Sequence, residues 1–112
     1  MTGQQGGGAA RAAIAVRGEA SVPIGDAALT LRPSFTALVA AEEELGSLFE
    51  LVERAASGQL KLAELVALFW HCRHDAPTGL TRALFGEAIT TAGLAAATPP
   101  LKLLLGQILA GR

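Results

Sequence analysis

The apolar residues of this chain change period at Pro33, and that switch constrains the fold more than any other feature. In "GEASVPIGDAALTLR" they alternate: Ala20, Val22 and Ile24 are interleaved with Glu19, Ser21 and Pro23, and Leu29 and Leu31 then share a face. Alternation of this kind is the mark of half-buried strands, and Gly25-Asp26 between two such runs is a hairpin-turn signal. Pro23 has no N–H for a ladder, so its strand belongs at a sheet edge. After Pro33 the apolar residues recur every three or four positions, the spacing of a helix face. A lone hairpin is marginal in water and must lie on something else. The expected fold is therefore mainly α (α+β), with one N-terminal β-hairpin, about Glu19 to Arg32, packed on a compact bundle of four to five short helices. On this reading the hairpin is a lid or edge element.

The helices carry their own punctuation. Ser34 is placed to cap the first, whose apolar stripe holds Phe35, Leu38, Val39 and Leu45, and Gly46 is placed to stop it. Glu42, Glu43 and Glu44 sit near its C-terminal end, where the helix dipole disfavours negative charge, and at least one of them must face other protein. Ser47-Leu48-Phe49-Glu50 reads as a capping box opening a second helix that runs to Gly58. A third, about Lys61 to His74, is apolar round most of its circumference and should be the central, most buried helix. Thr81 caps a fourth, ended by Gly93. Thr98-Pro99-Pro100 opens the last, because proline is tolerated in a first helical turn. The expected core comprises Phe35, Leu38, Leu48, Leu65, Phe69, Leu84, Phe85 and Ile89. Residues 1–11, "MTGQQGGGAAR", are Gly- and Gln-rich and too poor in apolar area to offset ordering entropy. They read as a disordered tail or a cloning remnant, with residues 12–112 as a single domain.

Bulk properties narrow the function. A net charge of −1 points to neither a nucleic-acid partner nor an anionic membrane, and no apolar run reaches the length of a membrane span. The lone Cys72 fits a reducing cytoplasm. Hydrophobic residues make up 51% of the chain and a domain of 112 residues buries only about two-thirds of its unfolded surface, so apolar side chains should remain exposed for self-association or a client.

His71, Cys72, His74 and Asp75 are the one cluster of ligand-type residues. On a helix His71 would share a face with His74 and Asp75, but Cys72 would point about 100° away, and no second cysteine or third histidine completes a zinc set. Histidines near a helix C-terminus interact well with its dipole, which is explanation enough. A Cys72–His nucleophile pair has no accompanying nucleophile elbow. The glycines near Met1 lack the strand and lysine of a phosphate loop. Tyrosine is absent and aromatics are 4%, a poor stacking surface for single-stranded nucleic acid. Glu42 to Glu44 with Glu50 or Glu53 read as a solvated helix face rather than an acid–base pair. No metal, cofactor or catalytic residue is expected, and an interaction module is the stronger class.

The order of motifs resembles the tail assembly chaperone family of gene transfer agents and related long-tailed phages. The resemblance rests on Arg17, Gly18 and Glu19, then Leu31, Arg32, Pro33, Ser34, Phe35, Ala37 and Leu38, then Glu42, Glu43 and Gly46. It continues through "SGQLKLAELVALFWHCRH" and through Leu80, Thr81, Gly86, Glu87, Ile89, Ala92, Gly93 and Leu94. It covers roughly Val16 to Leu109; the Gly-rich start and the Thr98-Pro99-Pro100 break lie outside the pattern. The resemblance implies a non-enzymatic role in the cytoplasm of a bacterial host cell. Such chaperones bind the long, apolar, helical tape measure protein before the tube polymerises and help recruit tail tube subunits. A tail tube or structural label is also attached to the family. A permanent tail component and a small cytoplasmic helical regulator stay open as alternatives.

One surface is expected to do the binding. Leu101, Leu104, Leu105, Ile108 and Leu109 fall at i, i+3, i+4, i+7 and i+8, a single apolar face beside Lys102 and Gln107. This face either binds another chain, a second copy or the tape measure protein, or it closes the core.

Overall fold

The computed structural model describes residues 19–110. The tail reading for residues 1–11, and a domain start at residue 12, lie outside the described residues. The elements, in chain order, are β1 (Ala20–Ile24), β2 (Ala27–Leu31), α1 (Phe35–Leu45), α2 (Leu48–Ala56), α3 (Leu62–His71), β3 (Arg73–His74), α4 (Arg82–Ala92) and α5 (Leu94–Ala110). This is the expected hairpin on five helices, with one short strand added.

β1 and β2 pair antiparallel with Ala20 opposite Leu31 and Val22 opposite Leu29, across the turn Gly25-Asp26. Gly25 has φ +65°, and a glycine at the first central position is what a type II′ turn demands. Among the described residues β1 is the outer strand of the order β1-β2-β3, so Pro23 costs no ladder bond to a further neighbour there. The hairpin is not a lid. Ala20, Val22, Leu29 and Leu31 are all fully buried and form one wall of the core, against which α4 and α5 pack. Alternation placed these side chains on one face; it could not say how deeply the helices would cover them.

The two ends of the hairpin are tied together by charge. Glu19 is buried, and its carboxylate accepts from Arg32 Nε at 2.9 Å and from Arg32 Nη2. The backbone N–H of Arg32 donates to the carbonyl of Cys72 at 2.7 Å, which fixes the end of α3 against the hairpin exit. The same junction generates β3, where Leu31 pairs with Arg73 and Thr30 with His74.

Three helix boundaries follow from their caps. Ser34 Oγ accepts the Ala37 N–H, Ser47 Oγ the Glu50 N–H, and Thr81 Oγ1 the Leu84 N–H. α3 begins differently: the Lys61 N–H donates to the Glu64 side chain at 3.0 Å, and Arg54 of α2 grips the other oxygen of that carboxylate at 2.6 Å. α3 is the central helix expected, with Leu65, Val66, Ala67, Leu68 and Phe69 buried. It ends at His71 rather than His74, because the residues beyond are drawn into pairing with β2.

Two further expectations are corrected. α5 begins at Leu94, so Pro99 and Pro100 lie inside it rather than at its start. Proline's fixed φ fits a helix, and what is lost is two N–H groups that would have bonded the carbonyls of Ala95 and Ala96 near the helix start. Thr98 Oγ1 donates to the Leu94 carbonyl at 3.2 Å, and the Ala96 N–H donates back to Gly93, so the proline-preceding turn is still held. Gly93, at φ +94°, makes the break, and the path of the chain bends there by 113° from α4 to α5. Among the core residues expected, Leu48, Leu65, Phe69, Phe85 and Ile89 are buried and Leu38 is half-buried, but Phe35 is 83% exposed and Leu84 56% exposed. No single helix among the described residues is long and apolar enough to cross a membrane.

Candidate functional site

The C-terminal leucine face splits in two. Leu104 is completely buried, and Leu101, Leu105 and Ile108 are half-buried against the core. Leu109 is 59% exposed. Most of the face therefore closes the domain; its tip, Ile108 and Leu109, reaches one surface feature, and Leu101 lines a separate pocket with Leu60, Leu62 and Leu94.

The feature at the tip is an apolar groove. Phe35, Leu38, Val39 and Glu42 of α1 form one wall, Leu48, Phe49 and Val52 of α2 the other, and Ile108 and Leu109 of α5 the end, enclosing about 230 Å³. α1 produces its wall because the face it turns to the core is the one that carries Ala37, Ala41 and Leu45. Ala41 is fully buried with Ala37 and Leu45 packed beside it, so Phe35 and Val39 are left on the outer side. α2 produces the other wall because Leu48 and Phe49 are adjacent and cannot both point inward; Leu48 is buried and Phe49 is 75% exposed. The α1–α2 corner is set by Glu42, whose carboxylate accepts the Leu48 N–H at 3.1 Å. Periodicity assigned Phe35 to the core because it shares a stripe with Leu38. The adjacent pair Leu48-Phe49 was the signal in the sequence that an aromatic must face outward.

The acidic run at the end of α1 is used structurally. Glu44 receives Arg82 of α4 in a two-pronged contact of 2.7 and 3.0 Å and lies 2.7 Å from His71 Nε2 at the end of α3. The hydrogen bond from Arg82, then that from His71, hold the Glu44 carboxyl at about 2, well below its ordinary 4.5. A folded-state value below the unfolded one means that the unfolded chain binds more protons in between. The contribution of Glu44 to stability is thus complete above about pH 4.5 and lost as pH falls toward about 2. Its side chain is 40% exposed, so solvent screening keeps that contribution small. Urea unfolding between about pH 6 and pH 2.5 is expected to show a shallower acid decline for Glu44→Gln than for the unaltered chain. Equal slopes would remove Glu44 from the acid response.

The ligand-type cluster is dispersed. His71 faces Glu44, His74 Nε2 lies 3.4 Å from Asp75, and Cys72 is buried. Burial pushes the Cys72 thiol up to about 12, far from the thiolate a nucleophile needs at neutral pH. Among the described residues no three His, Cys, Asp or Glu side chains are grouped to hold a metal.

What this arrangement offers is an open apolar groove with aromatic edges, a surface for another chain. The family model described as "Phage tail tube protein, GTA-gp10" matches residues 17–111. The chain belongs to this family. Comparison with curated proteins and with solved structures gave no match. The matched span runs from the hairpin through α5 and includes the Glu19–Arg32 pair and all nine groove residues. Membership of this phage and gene transfer agent tail family gives the chain a structural or assembly role in a tail, in the company of other tail proteins.

Proposed function

We propose that this chain is a non-catalytic tail assembly chaperone that binds the tape measure protein and helps recruit tail tube subunits, acting in the cytoplasm of the bacterial host during particle assembly. The observation that carries the reading is the groove, where Phe35 and Phe49 stand 83% and 75% exposed at the rim of an apolar trough. Large aromatic side chains left in water are costly unless a partner covers them, and aromatic anchors supply much of the energy of protein interfaces. A helical tape measure protein presents repeated apolar stripes, and helix-in-groove docking is the mode such a trough suits. Many copies along one long client turn modest single-site affinity into tight overall binding. A second reading, a permanent tube subunit, is favoured by the family's own description as a tail tube protein. Co-expression with a tape measure protein separates them: a chaperone forms a soluble complex with it in the absence of tube assembly, and a tube subunit does not.

A further inference from the structure

The groove has a chemical preference written on its rim. Glu42 is the one charged residue among the described residues that line it. Glu43 follows Val39 by four positions on α1, and Glu53 follows Phe49 by four on α2, so each sits on its helix directly beyond a groove wall. Both are exposed, and neither side chain makes a hydrogen bond or ion pair among the described residues. The basic residue of α2, Arg54, is already engaged by Glu64 at 2.6 Å, and Lys102 of α5 lies nearly two helical turns from Ile108. The apolar trough is therefore bordered by unneutralised carboxylates and by no free cation among the described residues.

We propose that the groove between α1, α2 and the tip of α5 seats one amphipathic helix whose apolar stripe is flanked by lysine or arginine. The inference deepens the chaperone reading and rests on it for the identity of the protein that supplies the helix. Phe35 and Phe49 take the apolar stripe, and Glu43 and Glu53 take the flanking cations. A second copy of this chain is a poor occupant, because a two-fold contact through the groove would bring the acidic rim of one copy, Glu42, Glu43 and Glu53, close to that of the other. An anionic membrane surface is disfavoured by the same carboxylates. Complementary charge of this kind acts mainly on partner choice and association rate, while the aromatic contacts supply the affinity.

The test uses two synthetic four-turn helical peptides with the same leucine stripe, one flanked by lysines and one by glutamates, titrated into the full chain by calorimetry. The lysine peptide is expected to bind, with affinity falling as salt is raised, and the glutamate peptide to bind at least about tenfold more weakly. The double variant Glu43→Lys, Glu53→Lys should reverse that preference. Phe49→Ser should weaken the lysine peptide at least about tenfold while circular dichroism stays unchanged, since Phe49 is mostly exposed. Equal binding of the two peptides, no binding of either, or indifference to Phe49→Ser would overturn the proposal. So would a dimer in sedimentation that Phe49→Ser dissolves, which would assign the groove to a second copy. A tape measure protein that co-purifies although neither peptide binds would leave the chaperone reading standing and end this one. Peptide binding without tape measure co-purification would do the reverse.

Discussion

Phe69→Ala is expected to lower the free energy of unfolding by about 3–5 kcal/mol in chemical denaturation, the usual cost of emptying a buried phenylalanine site. Phe69 is fully buried in α3, the helix that meets α1 on one side and α4 on another, so no single neighbour can collapse into the void. A domain of this size is stable by only about 5–15 kcal/mol, so the loss is a large share of the total. A change below about 0.5 kcal/mol would mean that Phe69 is not buried and that α3 does not hold the core together.

The second large effect separates the two halves of the C-terminal leucine face. Leu104→Glu is expected to unfold the domain, because Leu104 is completely buried among apolar side chains and a carboxylate there would have to be desolvated or protonated. Leu109→Glu, five residues on, is expected to leave the circular dichroism spectrum and the thermal midpoint nearly unchanged, since Leu109 is 59% exposed. A folded Leu104→Glu variant would contradict the assignment of this face to the core. An unfolded Leu109→Glu variant would contradict the placement of the groove.

The hairpin, its turn and the edge position of β1 were legible in the sequence because strand alternation, Gly-Asp and Pro23 all act locally. Helix starts at Ser34, Ser47 and Thr81 were legible for the same reason. The features that escaped depend on contacts distant in sequence. β3 exists because the Cys72 carbonyl receives Arg32, forty residues earlier in the chain. α5 continues through Pro99-Pro100 because Gly93, not the prolines, supplies the break from α4. The exposure of Phe35 could not be read from its stripe, since a period identifies a face without saying whether that face meets the core or water. It was decided by which face α1 turns to the core, the one that carries Ala37, Ala41 and Leu45. Of the C-terminal leucine face, only the tip reaches the groove, whose walls come from α1 and α2. Leu101, Leu104 and Leu105 share the period of Ile108 and Leu109, and nothing in periodicity marks where one helix face passes from core to surface.

The proposed chaperone role requires that this chain keep an apolar tail protein soluble by covering it. The most direct measurement is the amount of tape measure protein recovered in the soluble fraction when it is expressed with this chain, without it, and with the Phe35→Ser, Phe49→Ser variant. A soluble complex containing both proteins is expected with the unaltered chain, and tape measure protein lost to the pellet in the other two cases. Tape measure protein that is equally soluble in all three, with this chain eluting separately, would contradict that role.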